Sequence, residues 1–290
     1  MKEKIGLIGL GLVGTALAKN LLASGFKVIG FDIIKGKISN LEQMGGEGAS
    51  NASEVASKVN RVILSLWDSN SVKEVVTGLL KGKKIPQCII DTTTGDPEES
   101  RILAKKLLKF GVYFLDSPIS GSSKQILNRE GVFMVGGERE AFEGCKDIFK
   151  ALAKKYFYLG PSGSGSKAKL ASNLILGLNR LVLAEGLVFA EKIGLNIKDF
   201  LLLLKSTPAY SCAMDVKGEK MVEGNFEPES KIYQHNKDLE IILKYAKKAG
   251  QELPLTRVHK RILEEAIALG EGDLDNSAVI KQIRRLQIRE

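Results

Sequence analysis

The 290-residue sequence is poor in the residues that hold disulfide-rich or metal-dependent proteins together. Its three cysteines, Cys88, Cys145 and Cys212, match neither a disulfide framework nor a metal-binding motif. Its two histidines, His235 and His259, have no neighbours in a ligand-like pattern, so no metal site is expected. We therefore expect free, structural thiols and a reducing, cytoplasmic location.

The sequence also has no long uninterrupted apolar run, and we expect no signal peptide. No uninterrupted apolar run is long enough to cross a bilayer, and the N-terminus leads directly into a predicted strand. The net charge is +9, but the basic residues are spread along the chain, and the densest run, at 280–290, lacks aromatic residues. We expect no membrane or nucleic-acid partner, and the charge favours anionic substrates and cofactors instead.

The most informative segment that is present lies near the N-terminus. A short apolar stretch at 5–8 leads into Gly9-x-Gly11-x-x-Gly14, an amphipathic helix, a second apolar stretch at 27–31 and then Asp32. The three glycines permit a tight turn, close approach of a pyrophosphate and close packing of helix on strand, in that order. The helix N-terminus offers N–H groups to the pyrophosphate, and Asp32 can accept hydrogen bonds from the adenosine ribose. This unit predicts a nicotinamide or flavin dinucleotide site formed by Gly9, Leu10, Gly11, Leu12, Val13, Gly14 and Asp32.

The hydrophobic period changes near residue 162. Up to there, short apolar stretches alternate with amphipathic ones, which predicts an α/β domain, residues 1–162, with a mainly parallel, doubly wound Rossmann sheet. The turn-rich run 160–166 marks a flexible domain boundary. Residues 163–290 predict an all-helical domain that begins with a long, buried connecting helix at about 166–193.

The same patterns predict the individual elements. Strands are expected at 5–8, 27–31, 61–66, 87–91, 113–116, 132–135 and 156–159, with the last strands antiparallel because 132–135 follows a loop too short for a crossover. Helices are expected at 98–110, 139–153, 197–205, 213–223, 232–249, 254–268 and 276–286.

Small polar or backbone-exposing groups follow three successive predicted strands. They are Leu66–Trp67, Thr92–Thr94 and Ser117–Gly121. Ligands of an open parallel sheet bind beyond the carboxyl ends of its strands. Ser120 next to Gly121 offers a hydroxyl and backbone N–H groups to a carboxylate, although such a segment is also typical of an ordinary turn.

A second candidate pair lies at the start of the long helix. Lys169 and Asn173 are four residues apart, so they share one face among apolar neighbours. A lysine in such a place needs a partner or a function. The alternative is a lysine that reaches the surface and an asparagine that makes a packing hydrogen bond.

Four blocks together resemble the β-hydroxyacid dehydrogenases, the family that includes 3-hydroxyisobutyrate dehydrogenase, tartronate semialdehyde reductase and succinic semialdehyde reductases. The resemblance covers essentially the whole chain. The blocks, in the family's order, are GLGLVG at 9–14, DSPISG at 116–121, GSGSKAKLASN at 163–173 and KDL at 237–239.

The resemblance implies both an activity and a set of residues. The activity is hydride transfer between NAD(P) and a small 3-hydroxy acid or semialdehyde carboxylate. Lys169 matches the catalytic lysine, and Ser120, Gly121 and Asn173 match substrate-binding positions. Cofactor contacts are implied for Leu66, Trp67, Thr94 and Lys237.

Three departures from the family pattern leave the substrate open. Thr92-Thr93 stands where the family usually has Met-Ser, Ser122 where many members have a second glycine, and Ser172 where many have a second asparagine. Asp32 favours NAD, because a carboxylate repels a 2′-phosphate, but nearby lysines keep NADP possible.

Two other functions and an assembly state complete the expectations. An imine reductase-like enzyme is one alternative, although such enzymes typically lack lysine at the position of Lys169. A non-catalytic nucleotide-binding interaction protein is the other, and it is compatible with the positive charge. The apolar connecting helix predicts a homodimer or homotetramer. For His235, near the Lys237 block, a surface role is at least as consistent with the sequence as a place near the site.

Overall fold

The computed structural model describes residues 3–82 and 84–286. The chain divides into two compact units, Met1–Lys169, here called the sheet unit, and Leu170–Glu290, the helical unit. The division falls inside a long helix, whereas the sequence predicts a boundary after residue 162. Each unit has its own hydrophobic core.

The sheet unit contains nine strands among its described residues. They are β1 (Lys4–Ile8), β2 (Lys27–Phe31), β3 (Glu47–Gly48), β4 (Arg61–Leu64), β5 (Cys88–Asp91), β6 (Tyr113–Asp116), β7 (Ile119–Ser120), β8 (Val132–Gly136) and β9 (Lys155–Gly160). All seven predicted strands are present. The strands β3 and β7 are not predicted from the sequence, because a two-residue strand is too short to show a hydrophobic period.

The strands lie in the order β3-β2-β1-β4-β5-β6-β8-β7, and β9 pairs with β8. The first six strands are parallel to their neighbours. β8 runs antiparallel to β6 and β7 and parallel to β9. The predicted reversal of direction is therefore confirmed for the last strands. The doubly wound α/β prediction is confirmed as well.

Helices cover both faces of the sheet. They are α1 (Leu12–Ala23), α2 (Lys35–Gln43), α3 (Ala52–Ser57), α4 (Ser69–Leu80), α5 (Pro97–Leu108), α6 (Ser123–Leu127), α7 (Arg139–Gly144) and α8 (Lys146–Leu152). Side chains of β1 alternate between the two core clusters, with Ile5 and Leu7 in one and Ile8 in the other. A strand buried on both faces reads as a continuous apolar run, which explains why β1 is easily predicted.

The predicted helix at 139–153 is wrong as a single element. It is two helices, α7 and α8, with Cys145 between them at φ −111°. The apolar pattern continues across this break because both helices pack on the same core. Periodicity alone therefore did not reveal the interruption.

The described part of the helical unit contains helices and no strand longer than an isolated bridge. A long helix, α9 (Ser164–Lys192), crosses the division, and α10 (Ile197–Leu204), α11 (Glu219–Glu223), α12 (Ile232–Lys248), α13 (Pro254–Ala268) and α14 (Val279–Arg285) follow. The predicted bounds of α13 are correct. A π-helix at Met214–Gly218 and a 3-10 turn at Asn276–Ala278 replace the beginnings of two predicted α-helices.

By length and composition α9 is able to cross a membrane, which corrects the expectation from uninterrupted apolar runs. Its most apolar 18-residue window has a mean hydropathy of 1.5, and half of that window is buried inside the protein. A single helix of this kind is weak evidence for a membrane span, because a buried core helix passes the same test.

Candidate active site

The glycine loop between β1 and α1 is closed by contacts that exclude side chains. Gly9 has φ +93°, and a Cβ there would lie 2.1 Å from the Ser65 carbonyl oxygen. A Cβ on Gly14 would lie 2.0 Å from the Gly9 carbonyl oxygen. A shift of these backbone atoms would distort the loop at a high cost in free energy, so both positions need glycine. At Gly11, which precedes the first residue of α1, a Cβ would meet nothing within 4 Å.

Asp32 follows β2 and is tied to the glycine loop. Its carboxylate accepts hydrogen bonds from Leu10 N at 2.7 Å and from Ile34 N at 2.9 Å. The bond from Leu10 N links the end of β2 to the end of β1, at the point where the sequence predicts that the cofactor ribose binds. Leu10 is buried, Val13 is half-buried and Leu12 is exposed at the start of α1.

The predicted cofactor residues after β4 and β5 are held next to each other. Leu66 N donates to the Thr93 hydroxyl at 3.1 Å, and Thr93 N donates to Asp91 at 2.9 Å. Trp67 is 53% exposed and Thr94 is half-buried. The loops from two adjacent strands therefore form one rim at the carboxyl edge of the sheet.

Asp116, at the end of β6, anchors the beginning of α9. Its buried carboxylate accepts from Gly163 N at 2.7 Å and from Ser166 N at 2.8 Å, which satisfies N–H groups that a helix start leaves unpaired. Burial raises the pKa of Asp116 above its ordinary value, although these hydrogen bonds oppose the rise. A Cβ on Gly165 would lie 2.2 Å from the Met134 carbonyl oxygen. The run at 160–166 is thus packed on the sheet, and the expectation of a flexible linker is wrong.

Lys169 lies one turn beyond this anchored start and is only 7% exposed. The other predicted substrate residues of the sheet unit, Ser120 and Gly121, follow β6 through the short strand β7. Ser120 is half-buried, and Gly121 has φ +143°, which is strained for any residue with a side chain. Lys169, Ser120 and Gly121 therefore belong to the same unit as the predicted cofactor loop.

In the helical unit, Asn173 is buried and its orientation is fixed. Its amide Nδ2 donates to Asp238 Oδ2 at 2.9 Å, and the Lys237 ammonium lies 3.7 Å from Asp238 Oδ1. Sequence reasoning assigned Lys237 to the cofactor and gave Asp238 no role. The KDL block contained the signal, but the partner of Asp238 is 65 residues away. In the structure, Asp238 fixes the orientation of the Asn173 amide.

The two histidines are buried, so the surface expectation for His235 is wrong. His235 is 5% exposed and His259 is fully buried, with ring centroids 5.1 Å apart. A Cβ on Gly177 of α9 would lie 2.3 Å from His235 Nε2, so the pair uses the space that this glycine leaves. Burial, and then the charge of Arg180, lower the pKa of His259 to about 3.

Arg180 is a buried cation that sequence reasoning missed. It is 4% exposed, and burial lowers its pKa to about 10, while Asp275 and Asp238 oppose that shift. An arginine inside the apolar stretch of α9 was a visible signal. Periodicity assigns such a residue to the solvent side, and only the fold shows otherwise.

The geometry of the sheet unit fits a dinucleotide. The backbone turns tightly at Gly9, α1 packs close at Gly14, and the position of Gly11 is open at the helix N-terminus, where a pyrophosphate would bind. Among residues 3–82 and 84–286, no group of three or more His, Cys, Asp or Glu side chains is placed to hold a metal ion.

Comparison with known proteins agrees with this geometry. The sequence profile of the NAD binding domain of 6-phosphogluconate dehydrogenase matches residues 4–160. The profile for the NAD-binding part of NADP-dependent 3-hydroxyisobutyrate dehydrogenase matches residues 163–283. The two profiles together cover nearly the whole chain and establish NAD or NADP as the cofactor.

Among similar curated proteins is the 2-hydroxy-3-oxopropionate reductase of Escherichia coli (strain K12), which is 32% identical over 252 residues, 84% of each chain. The cytokine-like nuclear factor N-PAC of Aedes aegypti is 31% identical over 251 residues. That match covers 86% of this chain but only 45% of N-PAC, so the chain spans less than half of that relative.

The structure of 3-hydroxyisobutyrate dehydrogenase from Salmonella typhimurium has the same fold. Its TM-score is 0.88 at 25% identity, and the match covers 97% of this chain and 99% of that one. One explanation accounts for the dinucleotide loop, the buried lysine on an anchored helix, the two profile matches and this structural likeness. The chain belongs to the β-hydroxyacid dehydrogenase family of NAD(P)-dependent oxidoreductases.

Proposed function

We propose that the protein is an NAD(P)-dependent dehydrogenase or reductase that acts on a small 3-hydroxy acid or the corresponding semialdehyde carboxylate, with Lys169 as general acid and base. The observation that carries the proposal is the placement of Lys169. This lysine is 7% exposed and lies one turn after a helix start that Asp116 fixes to the end of β6. An ammonium group in such a place is costly unless it has a partner or a task, and Lys169 stands where the family has its catalytic lysine.

The proposed chemistry needs a proton transfer and a hydride transfer. In the oxidation direction, Lys169 Nζ accepts the proton of the substrate hydroxyl group. The carbon that carries this hydroxyl loses a hydride, that is, a hydrogen with its electron pair, and becomes a carbonyl carbon. In reduction, Lys169 returns a proton to the carbonyl oxygen. The nicotinamide cofactor supplies the hydride acceptor or donor.

The remaining residues bind and orient. Ser120 and Gly121 offer a hydroxyl and backbone N–H groups to the substrate carboxylate. Because the amide nitrogen of Asn173 donates to Asp238, the orientation of the Asn173 side chain is fixed, and so is the direction of its amide oxygen. We propose that Asn173 holds the substrate hydroxyl, with Asp238 as its positioning residue.

A cofactor-by-substrate screen tests this function. NADH and NADPH oxidation would be measured with succinic semialdehyde, glyoxylate, tartronate semialdehyde and methylmalonate semialdehyde. We expect Lys169→Ala to lower kcat at least about a hundredfold, because general acid–base catalysis contributes that much or more. Lys167→Ala is the matched control, since Lys167 is an exposed lysine two residues earlier on α9. We expect it to keep the parent kcat.

The outcomes separate the alternatives. Turnover of a semialdehyde that survives in Lys169→Ala would contradict the role of the lysine. Cofactor binding without turnover of any substrate would favour the non-catalytic interaction protein. Turnover of imines but of no carbonyl substrate would favour the imine reductase-like alternative.

The proposed preference for NAD depends on Asp32. The carboxylate faces the glycine loop through Leu10 N, where a ribose 2′-phosphate would meet a negative charge. We expect Asp32→Ala to lower the ratio of NADPH to NADH dissociation constants at least about tenfold, a change of roughly 1.4 kcal/mol. Asp32→Asn keeps a hydrogen-bond acceptor for Leu10 N and separates loss of charge from loss of the loop contact. Unchanged ratios in both variants would contradict the assignment.

The assembly state and location stay predictions. We propose a cytoplasmic homodimer or homotetramer with no nucleic-acid or membrane partner. The spacing of exposed apolar side chains on the helical unit supports self-association, since Ile175, Val182 and Phe189 are seven residues apart on α9 and each is more than half exposed. Light scattering of the purified chain measures the assembly state.

A further inference from the structure

The structure places two of the three cysteines in contact inside the sheet unit. Cys88 is the first residue of β5, and Cys145 lies at the junction of α7 and α8. They are 57 residues apart in sequence, but their sulfur atoms are only 3.7 Å apart. Both are buried, at 6% and 2% exposure, whereas Cys212 is exposed. Sequence spacing gave no indication of this pair.

Arg61 adds a positive charge next to the pair. It is the first residue of β4 and lies in register with Cys88. Its guanidinium is held by Asp147 at 2.6 Å and by Glu3 at 2.7 Å, and it donates to the Gly144 carbonyl oxygen at 3.1 Å. Arg61 is therefore fixed against the turn that carries Cys145.

The two thiols differ in their acidity. The contact with Cys88 and the charge of Arg61 lower the pKa of Cys145, although burial opposes this. The same contact and burial raise the pKa of Cys88. A more acidic thiol next to a second thiol is the arrangement in which one sulfur reacts first and the other resolves the product, and because both thiols are buried the oxidant reaches them only when the turn at Cys145 opens.

We propose that Cys88 and Cys145 are a site of reversible intramolecular disulfide formation, driven by hydrogen peroxide. The Cys145 sulfur attacks one oxygen of the peroxide bond and becomes a sulfenic acid, and the other oxygen leaves as water. The Cys88 sulfur then attacks the Cys145 sulfur, the S–S bond forms, and the hydroxyl group leaves with the Cys88 proton as a second water. The two thiols lose two electrons, and hydrogen peroxide is reduced to two molecules of water. A dithiol reductant reverses the reaction.

The geometry requires little rearrangement. A disulfide has an S–S length of about 2.0 Å, so the sulfurs must approach by about 1.7 Å. Cys145 lies between two short helices, and its N–H donates to the Phe142 carbonyl oxygen at 3.1 Å while its own carbonyl oxygen accepts from Ile148 N at 3.0 Å, so the approach depends on rotation of the two side chains. The cross-link would join the amino end of β5 to this turn. The opposite end of β5, at Asp91, leads to the predicted cofactor rim about 10 Å away.

The test uses the full-length protein and hydrogen peroxide. Oxidised protein would be treated with catalase, denatured, alkylated, digested without reductant and analysed by mass spectrometry. We expect a peptide that links Cys88 to Cys145 in the parent and in Cys212→Ser, and its loss after treatment with dithiothreitol. Cys145→Ser and Cys88→Ala should not form it. Circular dichroism would check that each variant is folded.

A second measurement separates the pair from chance proximity. Arg61→Gln removes the charge beside Cys145, and we expect the rate of disulfide formation to fall at least about threefold. Alkylation of both Cys88 and Cys145 under conditions that oxidise Cys212 would overturn the proposal. Oxidation of Cys145 to a sulfinic acid without the linked peptide would overturn it as well.

Discussion

The two units differ in what they bury. In the sheet unit, the two core clusters are apolar, and the buried carboxylates near the site, Asp91 and Asp116, accept hydrogen bonds from backbone N–H groups. Among its described residues the sheet unit buries one cation, Lys169, at its very end on α9. The helical unit buries several cations and titratable groups among its helices, including Arg180, Lys217 and His259. The sheet unit therefore builds its site from backbone geometry, while the helical unit depends on charges that compensate one another.

The Lys217–Asp275 pair shows this dependence. The Lys217 ammonium lies 2.9 Å from Asp275 Oδ2, and Asp275 is completely buried. Asp275 also accepts from the backbone N–H groups of Glu229, Ser230 and Ser277. Burial opposes ionisation, but Lys217 and these N–H groups together hold the pKa of Asp275 below its ordinary value.

The largest expected effect is a loss of stability, and it tests whether the sheet unit depends on close backbone contacts at the glycine loop. Alanine at Gly14 gains up to about 1 kcal/mol of helix propensity but places a Cβ 2.0 Å from the Gly9 carbonyl oxygen. The clash outweighs that gain, and we expect Gly14→Ala to lower the free energy of unfolding by more than about 4 kcal/mol. Urea denaturation measures the change.

Gly11→Ala is the control for that experiment. The Cβ at this position meets nothing within 4 Å, so we expect the stability to change by less than about 1 kcal/mol. Affinity for NADH should still fall, since the added methyl group occupies the place where a pyrophosphate approaches. Equal stability losses in the two variants would show that backbone closure does not distinguish them.

The next effect tests charge compensation in the helical unit. Lys217→Met removes the cation and leaves Asp275 buried without its ion-pair partner, which typically costs about 3–5 kcal/mol. In the double variant Lys217→Met/Asp275→Asn the unpaired carboxylate is gone and Arg180 keeps Asp238 as a compensating charge, so we expect a smaller loss than in the single variant. Thermal and urea denaturation of the parent and both variants give the comparison. A double variant less stable than Lys217→Met would contradict this interpretation.

The smallest expected effect is the pH dependence of stability that comes from His259, a residue of the helical unit. The folded protein holds His259 neutral to about pH 3, whereas the unfolded chain binds a proton near pH 6.5. This stabilisation is present above pH 6.5 and is lost as the pH falls below it, at about 1.4 kcal/mol per pH unit. At about pH 5 the parent should have lost roughly 2 kcal/mol more than His259→Leu. Urea denaturation as a function of pH measures both slopes, and parallel slopes would contradict the assignment.

Sequence reasoning succeeded where neighbouring residues determine the structure. The glycine loop, Asp32 and the bounds of α13 follow from local patterns of turn, period and capping. The interruption at Cys145, the contact between Cys88 and Cys145 and the burial of His235 and Arg180 depend on residues far apart in the chain. No local pattern contains that information, because a core can bury a polar group wherever the surrounding elements compensate for it.

The hydrogen bonds of Asp116 also bear on the order of folding. Gly163 and Ser166 lie 47 and 50 residues downstream of this carboxylate, so the first turn of α9 is capped by a long-range contact. Closing such a loop costs entropy before the contact can form. We therefore expect the turn that carries Lys169 to become ordered only once Asp116, at the end of β6, is in place. An incompletely folded chain would bury apolar surface before Lys169 is ordered.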